Sequence, residues 1–175
     1  MELRFVAAEL GALDELRCDV LLLPIASDER PLRGAAGLVD WRLCGALSRL
    51  IAQGRVTGAL GERVLVPTRP RLSFEKLVLL GTGSRLGFDE TVFLTSIDAA
   101  MDVLRKLRAR TAALALPGRS LEGITAERGL ELFLGAAGDL LERDEITVVE
   151  TSEAQRLMLP VLERARRKAR ALESG

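Results

Sequence analysis

The chain has 175 residues, 48% of them hydrophobic, and its 25 basic and 25 acidic side chains cancel to a formal charge of zero. That length and composition fit one globular domain with a real core, and the missing basic excess argues against a nucleic-acid binder. There is no histidine and only 3% aromatic residues. The missing histidine removes Ser-His-Asp and Cys-His nucleophile chemistry and histidine-ligated zinc, and the few aromatics weaken any model that needs platforms for stacking bases.

No apolar run approaches the length that spans a bilayer. The start, MELRFVAAELGALDEL, has early acids and no signal-peptide core. The expectation is a cytoplasmic protein without membrane association. Cys18 and Cys44 have no metal-like spacing and read as reduced core residues.

Residues 2–8 read as a first strand, and Glu9 to Arg17 as a helical turn or two. Residues 18–25, CDVLLLPI, are a continuous apolar run, which fits a strand buried on both faces of a parallel sheet. Asp19 at its start reads as a structural or an edge carboxylate. After a polar loop, Ala26 to Pro31, comes the stretch LRGAAGLVDWRLCGALSRLIAQGRVTG, residues 32–58. Leu38, Val39, Trp41, Leu43, Leu47, Leu50 and Ile51 recur at three- and four-residue spacings, which predicts one amphipathic helix closed by Gly54. Asp40 and Trp41 are expected to orient and bury it. Its opening, Gly34-Ala35-Ala36-Gly37, reads either as a flexible entry that lets the helix pack closely or as bare N–H groups facing an anion.

Residues 62–67 and 75–80 read as strands joined by a Pro-containing loop, Thr68 to Arg71. A long helix is predicted from about Asp89 to Arg108, with Asp89 and Glu90 in its first turn. Thr111 to Leu116 is a strand stopped by Pro117-Gly118. Residues 123–141 form a helix with Leu130, Phe133, Leu134, Ala137 and Leu141 inward. Residues 146–149 are a last strand, and Thr151 or Ser152 caps a helix to about Leu172. The basic residues of that helix, Arg156 and Arg164 to Arg170, read as a solvated face or as a patch for an acidic partner.

The order of elements implies an α/β domain of three layers, α/β/α, in which helices flank a mixed, mostly parallel sheet. Ligands of such sheets sit beyond the carboxyl ends of the strands. Two loops leave such ends: Ala26–Gly37 and Gly81-Thr82-Gly83-Ser84-Arg85-Leu86-Gly87-Phe88. The second is either a tight strand-to-helix turn or an anion-binding nest with Arg85 as a phosphate partner. It is neither a Walker loop nor a Rossmann fingerprint. The candidate ligand residues are therefore Gly34, Gly37, Leu38, Gly81, Thr82, Gly83, Ser84, Arg85, Gly87 and Phe88. No residue set suggests a catalytic pair, a metal site or a cofactor.

The succession CDVLLLPI, GAAGLVDWRLCGALSRLIAQGRVTGALGERVLVPT, EKLVLLGTGSRLGFD and TAALALPG resembles the N-terminal domain of the leucine aminopeptidases, the cytosol aminopeptidase family. The resemblance covers about residues 15–140. It implies a single macrodomain-like domain over 1–175, with 152–175 a charged C-terminal helix and tail. It also implies that the Gly81–Phe88 loop is similar to the distal-phosphate loop of macrodomains, which bind ADP-ribose and related nucleotides. No stretch resembles the family's Asn-Thr-Asp-Ala-Glu-Gly-Arg catalytic motif. The first expectation is a stand-alone, non-catalytic module that acts by protein–protein interaction, self-association or regulation. The alternative is a binder of ADP-ribose or a related phosphate-bearing nucleotide, and a hydrolase of such a nucleotide comes third.

Overall fold

The computed structural model describes residues 3–68, 71–137 and 145–173. Residue 2 of the expected first strand, residues 69 and 70 of the Pro-containing loop, residues 138–141 of the expected helix and the last two residues of the tail lie outside them.

The strand Val20–Ile25 (β2) is the axis of the sheet. Its side chains Val20 to Leu23 are fully buried, as a run of Val and Leu without polar alternation requires. It pairs in parallel with Lys76–Gly81 (β4) on one side and Thr111–Leu114 (β5) on the other. Glu145–Glu150 (β6) and Leu3–Ala7 (β1) extend the parallel ladder beyond β5. Arg63–Pro67 (β3) closes the other edge, antiparallel to β4, giving the order β1-β6-β5-β2-β4-β3. The mixed, mostly parallel sheet agrees with the expectation. Asp19 is structural, the first of its two readings: its Oδ2 accepts from the backbone N–H groups of Arg110 and Thr111, which tie the starts of β2 and β5 together. Those donors hold its carboxyl below the usual aspartate range.

Helices cover both faces. Leu10–Glu15 (α1), Gly34–Arg42 (α2) and Ala46–Ala52 (α3) pack on Leu21, Leu23 and Ile25. Glu90–Leu107 (α4), Ala126–Ala136 (α5) and Ser152–Glu173 (α6) pack on Val20, Leu22, Val78 and Leu80. In α4 the spacing of Phe93, Ile97, Ala100, Met101 and Leu104 builds a fully buried stripe. Each large side chain there contributes about 1.5–3 kcal/mol of transfer free energy. Asp89 starts α4 by accepting the Val92 N–H at 2.8 Å, and Thr125 caps α5 through Arg128 N–H.

The 32–58 stretch differs from its sequence reading in three ways. Its one expected helix is two, because Cys44 and Gly45 both take left-handed backbone angles, φ 54° and 76°. Asp40 then reaches across the break, and its Oδ1 accepts the N–H groups of Leu47 and Ser48 at the start of α3. The Gly34-Ala35-Ala36-Gly37 segment is the first turn of α2 rather than a flexible entry. Trp41 does not bury the helix: it lies two residues, about 200°, from fully buried Val39, and is 65% exposed. Its ring carries the Arg42 guanidinium 5.5 Å from the centroid. Cys44, expected in the core, is exposed at the break, whereas Cys18 is half-buried and burial pushes its thiol up to about 11.

Candidate functional site

Four connections leave the carboxyl ends of the parallel strands: β1–α1, β2–α2, β4–α4 and β5–α5, with Thr151 following β6. Between β2 and β5 the chain diverges, since β2 leads toward the β3 edge and β5 toward the β6 side. Open α/β sheets hold their ligands at such a divergence. Here it holds a cleft of about 240 Å³. Arg33, Gly34, Ala35 and Ala36 form one wall, and Arg119, Ser120 and Glu122 of the β5–α5 loop form the other. Pro24, Ala115 and Val149 lie at the strand ends between them.

Backbone geometry sets the narrowness of this cleft. Gly34 opens α2 at φ +54°, and a Cβ there would lie 3.4 Å from Ser120 Cβ. The N–H groups of a first helical turn have no partner within the helix; of this turn Gly34 is exposed, while Ala35 and Ala36 are buried against the core and reach the cleft only at its wall. Arg119 is fixed across the way, donating from Nε to Glu150 Oε2 at 2.8 Å and from Nη1 to the Ile124 carbonyl at 2.8 Å. Within the β2–α2 loop, Glu29 is 2% exposed. Its Oε1 has no hydrogen-bond partner among the described residues. Burial pushes its carboxyl up from the usual glutamate range, against the pull of the Ser120 hydroxyl, the Arg33 backbone N–H and the Arg33 charge.

The candidate residues from the sequence divide among three places. Gly34 lines the cleft. Gly37 lies on another side of α2, where a Cβ would sit 2.6 Å from the Leu32 carbonyl, and Leu38 is half-buried against the α1–α3 side of the core. Gly81 to Phe88 form the adjoining β4–α4 connection. Gly81 is required by packing, since a Cβ would lie 1.9 Å from Ala59 O. Thr82 is buried and donates to the Ile25 carbonyl. Gly83, at φ +76°, donates to Gly58 O and accepts from Ser27 N–H.

At Ser84 and Arg85 the nest consists of one backbone N–H and one side-chain hydroxyl, and the anion it holds comes from this chain. Asp28 Oδ1 accepts the Arg85 N–H at 2.9 Å, and Asp28 Oδ2 accepts the Ser84 hydroxyl at 3.0 Å. The Arg85 N–H, then the Ser84 hydroxyl and the Arg85 charge, hold the Asp28 carboxyl below its usual range. Gly87 has open space around it, and Leu86 is almost wholly exposed. Phe88 links this loop to the cleft's far wall: its ring fills the space that a Cβ on Gly118 or Gly123 would need, 2.2 and 2.9 Å away.

Glu29 and Arg33 lie in the Ala26–Gly37 loop that the sequence marked as a ligand edge but were not singled out within it, and Arg119 and Ser120 had no sequence reading as site residues. The available signal was Pro117-Gly118 with Gly123, glycines that bracket a turn after an apolar strand. With Pro117-Gly118 read as a strand stop and Gly123 as the start of the next helix, the loop that faces α2 stayed concealed. Among the described residues, no group of three or more His, Cys, Asp or Glu side chains is placed to hold a metal ion.

Comparison with known proteins fits this geometry. A probable cytosol aminopeptidase of Thermosynechococcus vestitus is 30% identical over 122 residues, 70% of this chain and 24% of that protein. One of Stutzerimonas stutzeri is 26% identical over 165 residues, 89% of this chain and 33% of that protein. The chain thus spans about a quarter to a third of the length of these relatives. Among solved structures, a Trypanosoma brucei macrodomain in complex with ADP superposes with a TM-score of 0.71 at 12% identity. That match covers 92% of this chain and 69% of the other, and the shared architecture is macrodomain-like. The model of the N-terminal domain of the cytosol aminopeptidase family matches residues 21–137, and the chain belongs to that family through this domain.

Proposed function

We propose that this chain is a binding module that receives a phosphate-bearing nucleotide, ADP-ribose or a relative of it, in the cleft between α2 and the β5–α5 loop. The observation that carries this reading is the cleft at the divergence of the sheet, lined by the first turn of α2, with Arg33 beside it and Arg119 and Ser120 opposite. Free N–H groups and the positive end of a helix favour a phosphate there. The T. brucei macrodomain of the same architecture was solved with ADP, which supports the ligand class. The peptidase reaction of the relatives is not part of this proposal, because the matched segment is 24% of the length of the T. vestitus protein. We read the chain as cytoplasmic, after relatives named cytosol aminopeptidases. Among the described residues no helix is long and apolar enough to cross a membrane.

Calorimetry with ADP-ribose and with ADP tests the proposal. One saturable site is expected, weakened about tenfold or more by Arg33→Glu, a substitution at an exposed position. No heat with either nucleotide at millimolar concentration, or full affinity in the variant, would overturn it.

A second reading, association with a protein or with another copy of the chain, is favoured by Trp41. Its exposed ring borders a groove lined by Pro31, Leu32, Gly37 and Gly45. Sedimentation of the protein and of Trp41→Ser separates the two readings: a monomer at all concentrations would remove self-association.

A further inference from the structure

The two edges of the sheet are finished differently. At the β1 edge, Arg166 of α6 donates to the Leu3 carbonyl at 3.0 Å, so a helix side chain occupies an edge acceptor. At the β3 edge, no described strand pairs beyond β3. Antiparallel pairing turns alternate backbone groups of β3 toward β4 and leaves the others facing outward, a template for another strand.

The face beside this edge has a distinct chemistry. Leu65 at the middle of β3 is 56% exposed, although it stands directly opposite buried Val78. With Val103 and Leu107 of α4 these side chains floor a groove of about 190 Å³. Its rim is cationic. Arg63 Nη1 lies 3.1 Å and Lys106 Nζ 2.9 Å from the same oxygen of Asp102. Lys106, Arg63 and Arg105 all act on that one carboxylate. At the rim itself Arg63 and Lys106 face the single carboxylate of Asp102, which leaves one positive charge in surplus there.

We propose that the β3 edge is a docking site for an extended acidic segment of a partner protein, added as a seventh strand. One apolar side chain of the segment enters the groove over Leu65, Val78, Val103 and Leu107. A neighbouring carboxylate meets Arg63 and Lys106. Main-chain hydrogen bonds give such strand addition its affinity, and the alternate side chains give its selectivity. The site is separate from the nucleotide cleft, so the two proposals stand or fall independently.

The test is selection from a display library of random linear decapeptides on the full chain, followed by NMR titration of the enriched peptides on labelled protein. Enriched peptides are expected to carry Asp or Glu next to an apolar residue and to shift the amide signals of Arg63 to Val66 and of Val103 to Leu107. Binding is expected to fall at least about tenfold in Leu65→Lys, which changes an exposed position, and to weaken with salt. Lys106→Glu should weaken it severalfold, and thermal melts of both variants check that they fold. No enrichment, enriched peptides without acidic residues, shifts elsewhere, or equal binding to Leu65→Lys would each overturn the proposal.

Discussion

The β4–α4 connection and the α2–β5/α5 cleft lie side by side at one end of the sheet, and both are built on glycine, but they use it oppositely. In the β4–α4 connection glycine lets backbone approach backbone: Gly81 presses on Ala59, and Gly83 exchanges hydrogen bonds with Gly58 and Ser27. Its nest already holds the Asp28 carboxylate. In the cleft, Gly34 and the two alanines after it put a helix start at the wall of a cavity. A glycine-rich loop after a buried strand therefore says nothing about a ligand until the occupant of its N–H groups is known.

The largest effect expected from this contrast is that of Gly81→Ala. The new Cβ would meet a backbone carbonyl, which cannot swing aside as a side chain does. A cost of about 3 kcal/mol is expected. For a chain of this size that is a fall in Tm of roughly 6–12 °C. Urea unfolding of the variant measures it directly, and a cost below about 1 kcal/mol would mean that the Gly58–Ala59 segment yields.

Asp28→Asn probes the filled nest. A carboxyl held below its usual range contributes stability that is present above the ordinary aspartate range and lost as pH falls through its depressed folded value. The variant is therefore expected to be less stable than the parent at pH 7, with the gap closing in acid. Equal stability at pH 7 would show that the nest does not depend on its anion.

Glu29→Gln probes the open cleft, with the opposite sign. Burial raises the Glu29 carboxyl, so the folded chain keeps this proton to higher pH than the unfolded chain. Its contribution is complete below the ordinary glutamate range and is lost as pH rises through the raised folded value. The variant should gain stability over the parent at pH 8 and lose that advantage near pH 4. Removing a negative charge beside Arg33 should also tighten ADP-ribose binding at pH 8. Thermal melts and calorimetry at the two pH values check both, and a variant less stable at pH 8 would mean that the ionised carboxylate is satisfied.

Much of the fold was legible because single residues reported single physical needs. The unbroken apolar runs of β2 and β4 are short enough to fit strands buried on both faces, and Asp89 marked the start of α4. The break after α2 was not legible, since Leu43 and Leu47 keep helical spacing across Cys44 and Gly45. Only the reach of Asp40 to Leu47 and Ser48 reveals that a turn is being closed there. The cleft was the least legible part. Its walls come from residues 33–36 and 119–122, and the Phe88 ring that shapes the second wall packs on glycines 30 and 35 residues away. No local pattern encodes contacts of that range.

The smallest expected effect discriminates most sharply between the two regions. Gly87 is in the same loop as Gly81, has no atom within 4 Å of an added Cβ, and does not need a left-handed backbone. Gly87→Ala should therefore change stability by no more than about 0.5 kcal/mol, and a small gain is possible by narrowing the unfolded ensemble. Because the fold is untouched, any change in ADP-ribose affinity reports contact with the ligand itself. If the nucleotide occupies only the cleft of α2 and the β5–α5 loop, calorimetry gives the same affinity for the variant and the parent. A tenfold loss would mean that the ligand also reaches over Leu86 and Gly87, and the binding site would then span both loops rather than the cleft alone.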